Sequence, residues 1–262
     1  MDSTTDRLAV NASSPVLVLL PGLDGTGKLF AEFLRVLDLK VSTLVVAYPK
    51  DVPKNYDELD ALVTAALPSD RQFVLLGESF SGPLAIRIAA RRPASLVGLI
   101  LCVTFASNPY PWAGTWARPL AKFLPLKALP RWVRAPPMWG SASPNRAPRQ
   151  AERAMAGVSA AVVRHRIGAL LAVDETEALA NISAPTLVLC AARDRVVSKA
   201  ATSAIMRGIA HARRVDIDGP HLLLQTCPKE CAAAVLAFMR QGLDGLKGLK
   251  QPGRPTPARC SG

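Results

Sequence analysis

No apolar run in the 262 residues reaches the roughly 18 needed to cross a bilayer. The longest candidate, Leu96 to Phe105, is only strand length. The N-terminus carries Asp2 and Asp6 and has no basic start followed by an apolar stretch and a small-residue cleavage site, so no secretory signal is expected. Cysteine is sparse and odd in number: Cys102, Cys190, Cys227, Cys231 and Cys260. Cys102 and Cys190 lie in strand-like apolar runs, as small buried hydrophobes do. Cys227 and Cys231 share a helix face, which suits neither a disulfide nor, as two thiols alone, a metal site. A reducing, cytoplasmic setting is therefore expected, without disulfide or metal. Internal repeats are absent. Histidine is scarcer still, at three residues, so any imidazole chemistry has few possible carriers.

What is abundant is apolar and basic. Half the residues are hydrophobic, enough for one large domain or one domain with an insertion. The net charge of +12 is uneven: residues 105–170 hold ten Lys or Arg and one acid, Glu152. All four tryptophans, Trp112, Trp116, Trp132 and Trp139, lie there too. Such a segment suits an anionic lipid surface or an acidic substrate, and equally an arginine-rich solvated face. Nucleic acid is not the expected partner.

The apolar pattern alternates along the chain. Val16–Leu20, Thr43–Ala47, Gln72–Leu76 and Leu96–Val103 read as buried strands, with helices over Lys28–Leu37, from Asn55 to Leu67, and from the turn at Ser79 to about Arg91. Asn55 followed by Glu58 is a capping-box signature. Prolines then crowd residues 106–148 and forbid long regular elements. A helix resumes over Arg149–Val173, and alternation returns with Thr186–Cys190, Ser198–Arg207, Arg213–Ile217 and Pro228–Arg240. The expected class is α/β, a mostly parallel sheet with helices on both faces. Residues 1–104 and 174–241 would form the core, 105–173 an insertion, and 242–262 a disordered tail.

The sharpest local signal is Gly77-Glu78-Ser79-Phe80-Ser81-Gly82, where a strand runs directly into a helix. That turn strains the serine and lifts its hydroxyl above the carboxyl edge of the sheet. Small residues two before and two after are needed, and Gly77 and Ser81 meet that need, with Gly82 following. The usual pattern is Gly-x-Ser-x-Gly, so Ser81 departs from it. A serine needs a base. His165 lies between Arg164 and Arg166 on the inserted helix and reads as surface; His211 sits on a loop before a strand. His221 follows the last strand, in Gly219-Pro220-His221-Leu222-Leu223-Leu224-Gln225, and should emerge at the same edge as Ser79. The orienting acid should follow the penultimate strand, where Asp194 is the only acid; Asp218 is a fallback. Each signal is weak alone, but three residues in the chain order Ser79, Asp194, His221, each after the right strand, support one another.

An oxyanion would need two N–H donors. Phe80 should supply one and Leu23 the other, with Gly22 and Gly25 allowing close approach. The same loop, Gly22 to Lys28, reads as Gly-x4-Gly-Lys, but Leu29 stands where a nucleotide-binding loop needs Ser or Thr for magnesium.

With these residues in hand, the chain resembles the α/β-hydrolase superfamily over roughly residues 15–240. The stretch Pro21-Gly22-Leu23-Asp24-Gly25-Thr26-Gly27 is similar to the oxyanion loop of esterase and acyltransferase-like members, many of which begin His-Gly instead. The resemblance implies that 105–173 is a cap over the active site. The expected reaction is hydrolysis of an ester or thioester, of a small molecule or lipid with an apolar acyl group, through an acyl-serine and without cofactor. Acyl transfer to another acceptor, and a non-catalytic binding protein on the same fold, remain the alternatives.

Overall fold

The computed structural model describes residues 14–37, 41–110 and 146–247. Six parallel strands form one sheet: β1 (Val16–Leu20), β2 (Thr43–Val45), β3 (Phe73–Glu78), β4 (Leu96–Cys102), β5 (Thr186–Ala191) and β6 (Ala212–Ile217). Their spatial order is β2-β1-β3-β4-β5-β6. The chain thus steps from β1 to one side and returns on the other to lay down β3. In such sheets the crevice for ligands opens at the carboxyl ends of the strands where the direction reverses, here between β1 and β3.

The helices are α1 (Ala31–Leu37), α2 (Tyr56–Ala66), α3 (Gly82–Ala90), α4 (Arg146–Ala156), α5 (Ala160–Leu170), α6 (Lys199–Gly208), α7 (Leu223–Thr226) and α8 (Pro228–Lys247). The central strands are buried on both faces, so their residues are almost all apolar and alternate between two cores, Glu78 at the end of β3 being an exception. Val18, Leu20, Leu75, Leu99 and Val188 face one way, against Leu59 and Val63 of α2, Leu84 and Ile88 of α3 and Ile205 of α6. Leu17, Leu19, Leu76, Ile100 and Leu189 face the other way, against Phe33 and Leu37 of α1 and Val235 and Phe238 of α8. Each fully buried leucine contributes about 2 kcal/mol.

The capping box expected at Asn55 and Glu58 is present in both directions. Two expectations need correction. The helix expected over Arg149–Val173 is two helices: the chain leaves α4 at Gly157, and the Ser159 hydroxyl accepts from Val162 N–H to begin α5 afresh. The tail expected from Gly242 is helical as far as Lys247, because isolated glycines cost a helix only about 1 kcal/mol each.

After β4 and before β5 the chain runs side by side with itself. Ser107 bridges Asp174, Asn108 N–H donates to Val173 O, and Glu175 N–H donates to Ala106 O. The four tryptophans, the proline-rich stretch over 111–145 and the tail from 248 lie outside the described residues, as does Cys260. Cys102, Cys190, Cys227 and Cys231 are free thiols. Among the described residues no helix is long and apolar enough to cross a membrane.

Candidate active site

β3 ends in a turn that only certain residues can make. Ser79 has φ 49°, in the left-handed region that costs an L-residue roughly 1–2 kcal/mol. The arms of the turn are so close that a Cβ on Gly77 would lie 2.7 Å from Ala85 Cβ and 2.8 Å from Ser81 O. Three buried hydroxyls hold the turn. Thr104 donates to Ser79 O, Tyr56 donates to Phe80 O at 2.7 Å, and Ser81 donates to Pro21 O. The Tyr56 ring also stacks on Phe80, centroids 4.9 Å apart. Because the single Ser81 proton goes to Pro21, the Tyr48 hydroxyl 2.6 Å away must donate to Ser81 Oγ. Serine in place of the usual glycine therefore ties the turn after β3 to the loop after β1.

The two other residues expected from sequence come to the same edge. Asp194 lies in the turn after β5, and its Oδ1 accepts from Val196 and Val197 N–H at 2.8 and 2.9 Å. That fixes the carboxylate so that Oδ2 meets His221 Nδ1 at 2.9 Å. His221, in the loop between β6 and α7, presents Nε2 to Ser79 Oγ at 2.9 Å. A carboxylate can only accept, so Nδ1 carries the proton and Nε2 offers its lone pair to the serine. The imidazole and the carboxylate are almost fully enclosed, with side chains 4% and 9% exposed. Arg193 N–H donates to Gly219 O and joins the two loops. Asp218, the fallback acid, is exposed and paired with Arg193 instead. His165 is exposed on α5, and His211 is exposed with Nε2 against Ala184 O.

The loop after β1 packs against this group. A Cβ on Gly22 would lie 3.9 Å from Ser79 Cβ and 3.6 Å from Glu78 Oε2. Leu23 follows Gly22 and Phe80 follows Ser79, so the two segments expected to supply N–H donors flank the serine. Gly25 N–H donates to Gly22 O at 3.0 Å, and Asp24 accepts the N–H and hydroxyl of Thr26. Burial pushes the Asp24 carboxyl up, against the opposing pull of Thr26 and Arg166. Asp24 is buried in the middle of this loop, and Lys28 at its end is exposed.

Several residues at the site were not singled out from sequence. Glu78 is buried beside the serine, and it accepts from Gln225 Nε2 at 2.9 Å. Burial raises its carboxyl to about 7, with the Gln225 bond and nearby His221 pulling down and Asp24 pushing up. Arg166, on α5, is buried against the loop after β1. Its position three after Val163 and four after Val162 puts it on the apolar face of its helix, a signal that was available.

A sequence profile described as "Alpha/beta hydrolase family" matches residues 17–234. The chain is 27% identical over 247 residues to a protein of Rhizobium rhizogenes named as a carbamate hydrolase, RutD, covering 86% of this chain and 92% of that one. Among solved structures it resembles a hydrolase from Pseudomonas aeruginosa (TM-score 0.73, 22% identity, 88% of this chain and 91% of that chain). It also resembles the enol-lactonase from Burkholderia xenovorans (TM-score 0.71, 21% identity, 87% and 92%).

Proposed function

Since the chain belongs to the alpha/beta hydrolase family, we propose that it is a serine hydrolase that cleaves a carboxylic ester or thioester through an acyl-serine. The observation that carries this reading is the continuous hydrogen-bonded line from Ser79 Oγ through the His221 ring to Asp194. Ser79 Oγ attacks the substrate carbonyl carbon while His221 Nε2 takes its proton. The carbonyl oxygen becomes an oxyanion, held by the N–H groups of Leu23 and Phe80. Asp194 stabilises the imidazolium that results. The tetrahedral species collapses, and the alcohol or thiol leaves with the proton from His221. Water then attacks the acyl-serine, giving its proton to His221, and the acid departs as Ser79 recovers its own.

The activities named for the relatives suit the same chemistry, because a carbamate and an enol-lactone both present an acyl carbonyl to a nucleophile. For this chain an apolar acyl group is the expected substrate, since the segment over 105–173 carries all four Trp together with Leu, Pro and Phe. The basic excess over 105–170 suits an anionic group on that substrate or an anionic lipid surface.

Fluorophosphonate labelling of wild type and Ser79→Ala, followed by a panel of esters and thioesters of graded acyl length, tests the assignment. Wild type is expected to label and turn over, and Ser79→Ala to do neither. Full turnover by Ser79→Ala would overturn it. Binding to neutral and anionic vesicles that proved equal and independent of salt would remove the lipid-surface idea.

A further inference from the structure

Arg166 is only 2% exposed, although it belongs to the inserted segment and not to the sheet core. Its guanidinium meets backbone carbonyls. Nη1 donates to Leu23 O at 2.9 Å and to Asp24 O at 2.7 Å, and Nη2 donates to Pro49 O at 2.9 Å. The planar group lies over the Tyr48 ring, 5.7 Å from its centroid, and directly on Gly25. A Cβ at Gly25 would overlap the guanidinium, and φ +67° there already favours glycine. Asp24 supplies the nearest negative charge, through space and not through a direct ion pair.

Burying an arginine costs several kcal/mol before its bonds are counted, and an apolar side chain would fill the space without that cost. What an apolar side chain cannot do is hold carbonyls. Two of the three carbonyls belong to Leu23 and Asp24, the middle of the loop that is to supply an oxyanion donor. The other anchors of that loop lie to either side of this pair: Ser81 holds Pro21 O from the core, Gly25 N–H holds Gly22 O within the loop, and Tyr48 N–H holds Gly25 O. Gly22 C=O and Leu23 N–H share one rigid peptide plane. Arg166 fixes the next two planes, so the aim of Leu23 N–H is set from both directions.

The inserted segment reaches the other loop as well. Ala151 and Ala154 of α4 pack on Leu29 and on Leu222, the neighbour of His221. Ser159 N–H, at the start of α5, donates to Lys50 O at 2.9 Å, beside the Pro49 that Arg166 also holds.

We propose that Arg166 is a positioning residue that sets the oxyanion loop from the inserted helix, so that the site for the transition state is complete only when α5 is docked. This rests on the hydrolase reading above. The loop's own hydrogen bonds leave it able to fold without Arg166, but a donor displaced by about 1 Å costs of the order of 10²-fold in rate.

The experiment compares wild type, Arg166→Lys, Arg166→Met and Arg166→Ala. Burst titration with a fluorophosphonate counts competent sites, and kcat per titrated site and KM are then measured on one ester. Arg166→Met is expected to keep its sites and lose about 10²-fold in kcat per site, with KM within about twofold, because the loss falls on the transition state alone. Lysine, lacking the planar fork, is expected to recover only part of that loss. Guanidinium at millimolar concentration is expected to raise kcat of Arg166→Ala, and not of wild type. A purely structural role would reduce the number of sites and leave kcat per site unchanged, which overturns the proposal. So would a rise in KM with unchanged kcat, which would make Arg166 a substrate contact. If the Met and Ala variants fail to fold, Arg166→Lys decides by the same measure: wild-type kcat per site overturns the proposal. Wild type that neither labels nor turns over would instead sink the hydrolase reading itself.

Discussion

Gln225 Nε2 donates to Glu78 Oε1 at 2.9 Å across 147 positions of chain, and so fastens the turn that follows His221 to the strand end that carries Ser79. The carboxyl is buried, and burial moves it from its ordinary value of 4.5 to about 7. Between those values the unfolded chain has released a proton that the native protein still holds. Stability is therefore fully present below pH 4.5 and falls as pH rises to 7, by roughly 3 kcal/mol in all. Replacing Glu78 by Gln removes the titration. Urea midpoints of wild type and Glu78→Gln at several pH values should diverge through this window, with wild type losing ground as pH rises. Parallel profiles would show that the carboxyl is not held protonated.

The strained serine has a separate cost in stability. Glycine adopts φ 49° without the Cβ clash that Ser79 suffers. Ser79→Gly is expected to abolish turnover and to stabilise the fold by about 1 kcal/mol, net of the entropy glycine adds to the unfolded chain. Thermal melts should show a rise of about 2–4 °C. An unchanged or lower melting temperature would mean the strain is relieved elsewhere.

Ser81 and Tyr48 form a coupled pair. Ser81→Ala leaves the buried Tyr48 hydroxyl and Pro21 carbonyl without partners and should cost about 1–3 kcal/mol. Adding Tyr48→Phe removes one of the orphaned groups, so the double variant should be less destabilised than the sum of the singles, by about 1 kcal/mol. Denaturant titrations of the four proteins measure this; strict additivity would dissolve the network.

The acid assignment separates two aspartates by geometry. Asp194→Asn places an amide against His221 Nδ1 and favours the wrong tautomer, and should lower kcat by about 10⁴-fold with little change in melting temperature. Asp218, exposed and paired with Arg193, should tolerate Asn with kcat unchanged and stability within about 0.5 kcal/mol. Ester turnover of the two variants distinguishes them, and a reversal of the pattern would move the acid to Asp218.

Most of the architecture was legible because it is written in local periods. Five apolar runs, the capping box at Asn55 and the glycine-flanked turn at Ser79 each declare themselves within a few residues. The chain order Ser79, Asp194, His221 could be read in the same way, since each residue follows a recognisable strand. The break between α4 and α5 was also local, at Gly157 and Ser159, but it was hidden inside a longer helical pattern.

Sequence alone thus determined the α/β alternation, the strained turn and the three residues placed at one edge, because backbone propensity and hydrophobic period act over short distances. Tertiary structure decided that Asp194 and not Asp218 faces the imidazole, that the Ser81 hydroxyl holds Pro21 O, and that Arg166 is buried on the loop of Leu23. Those outcomes depend on which hydrogen-bonding groups are desolvated together when distant segments pack. A buried donor must find an acceptor wherever folding places one, and no local pattern records that address.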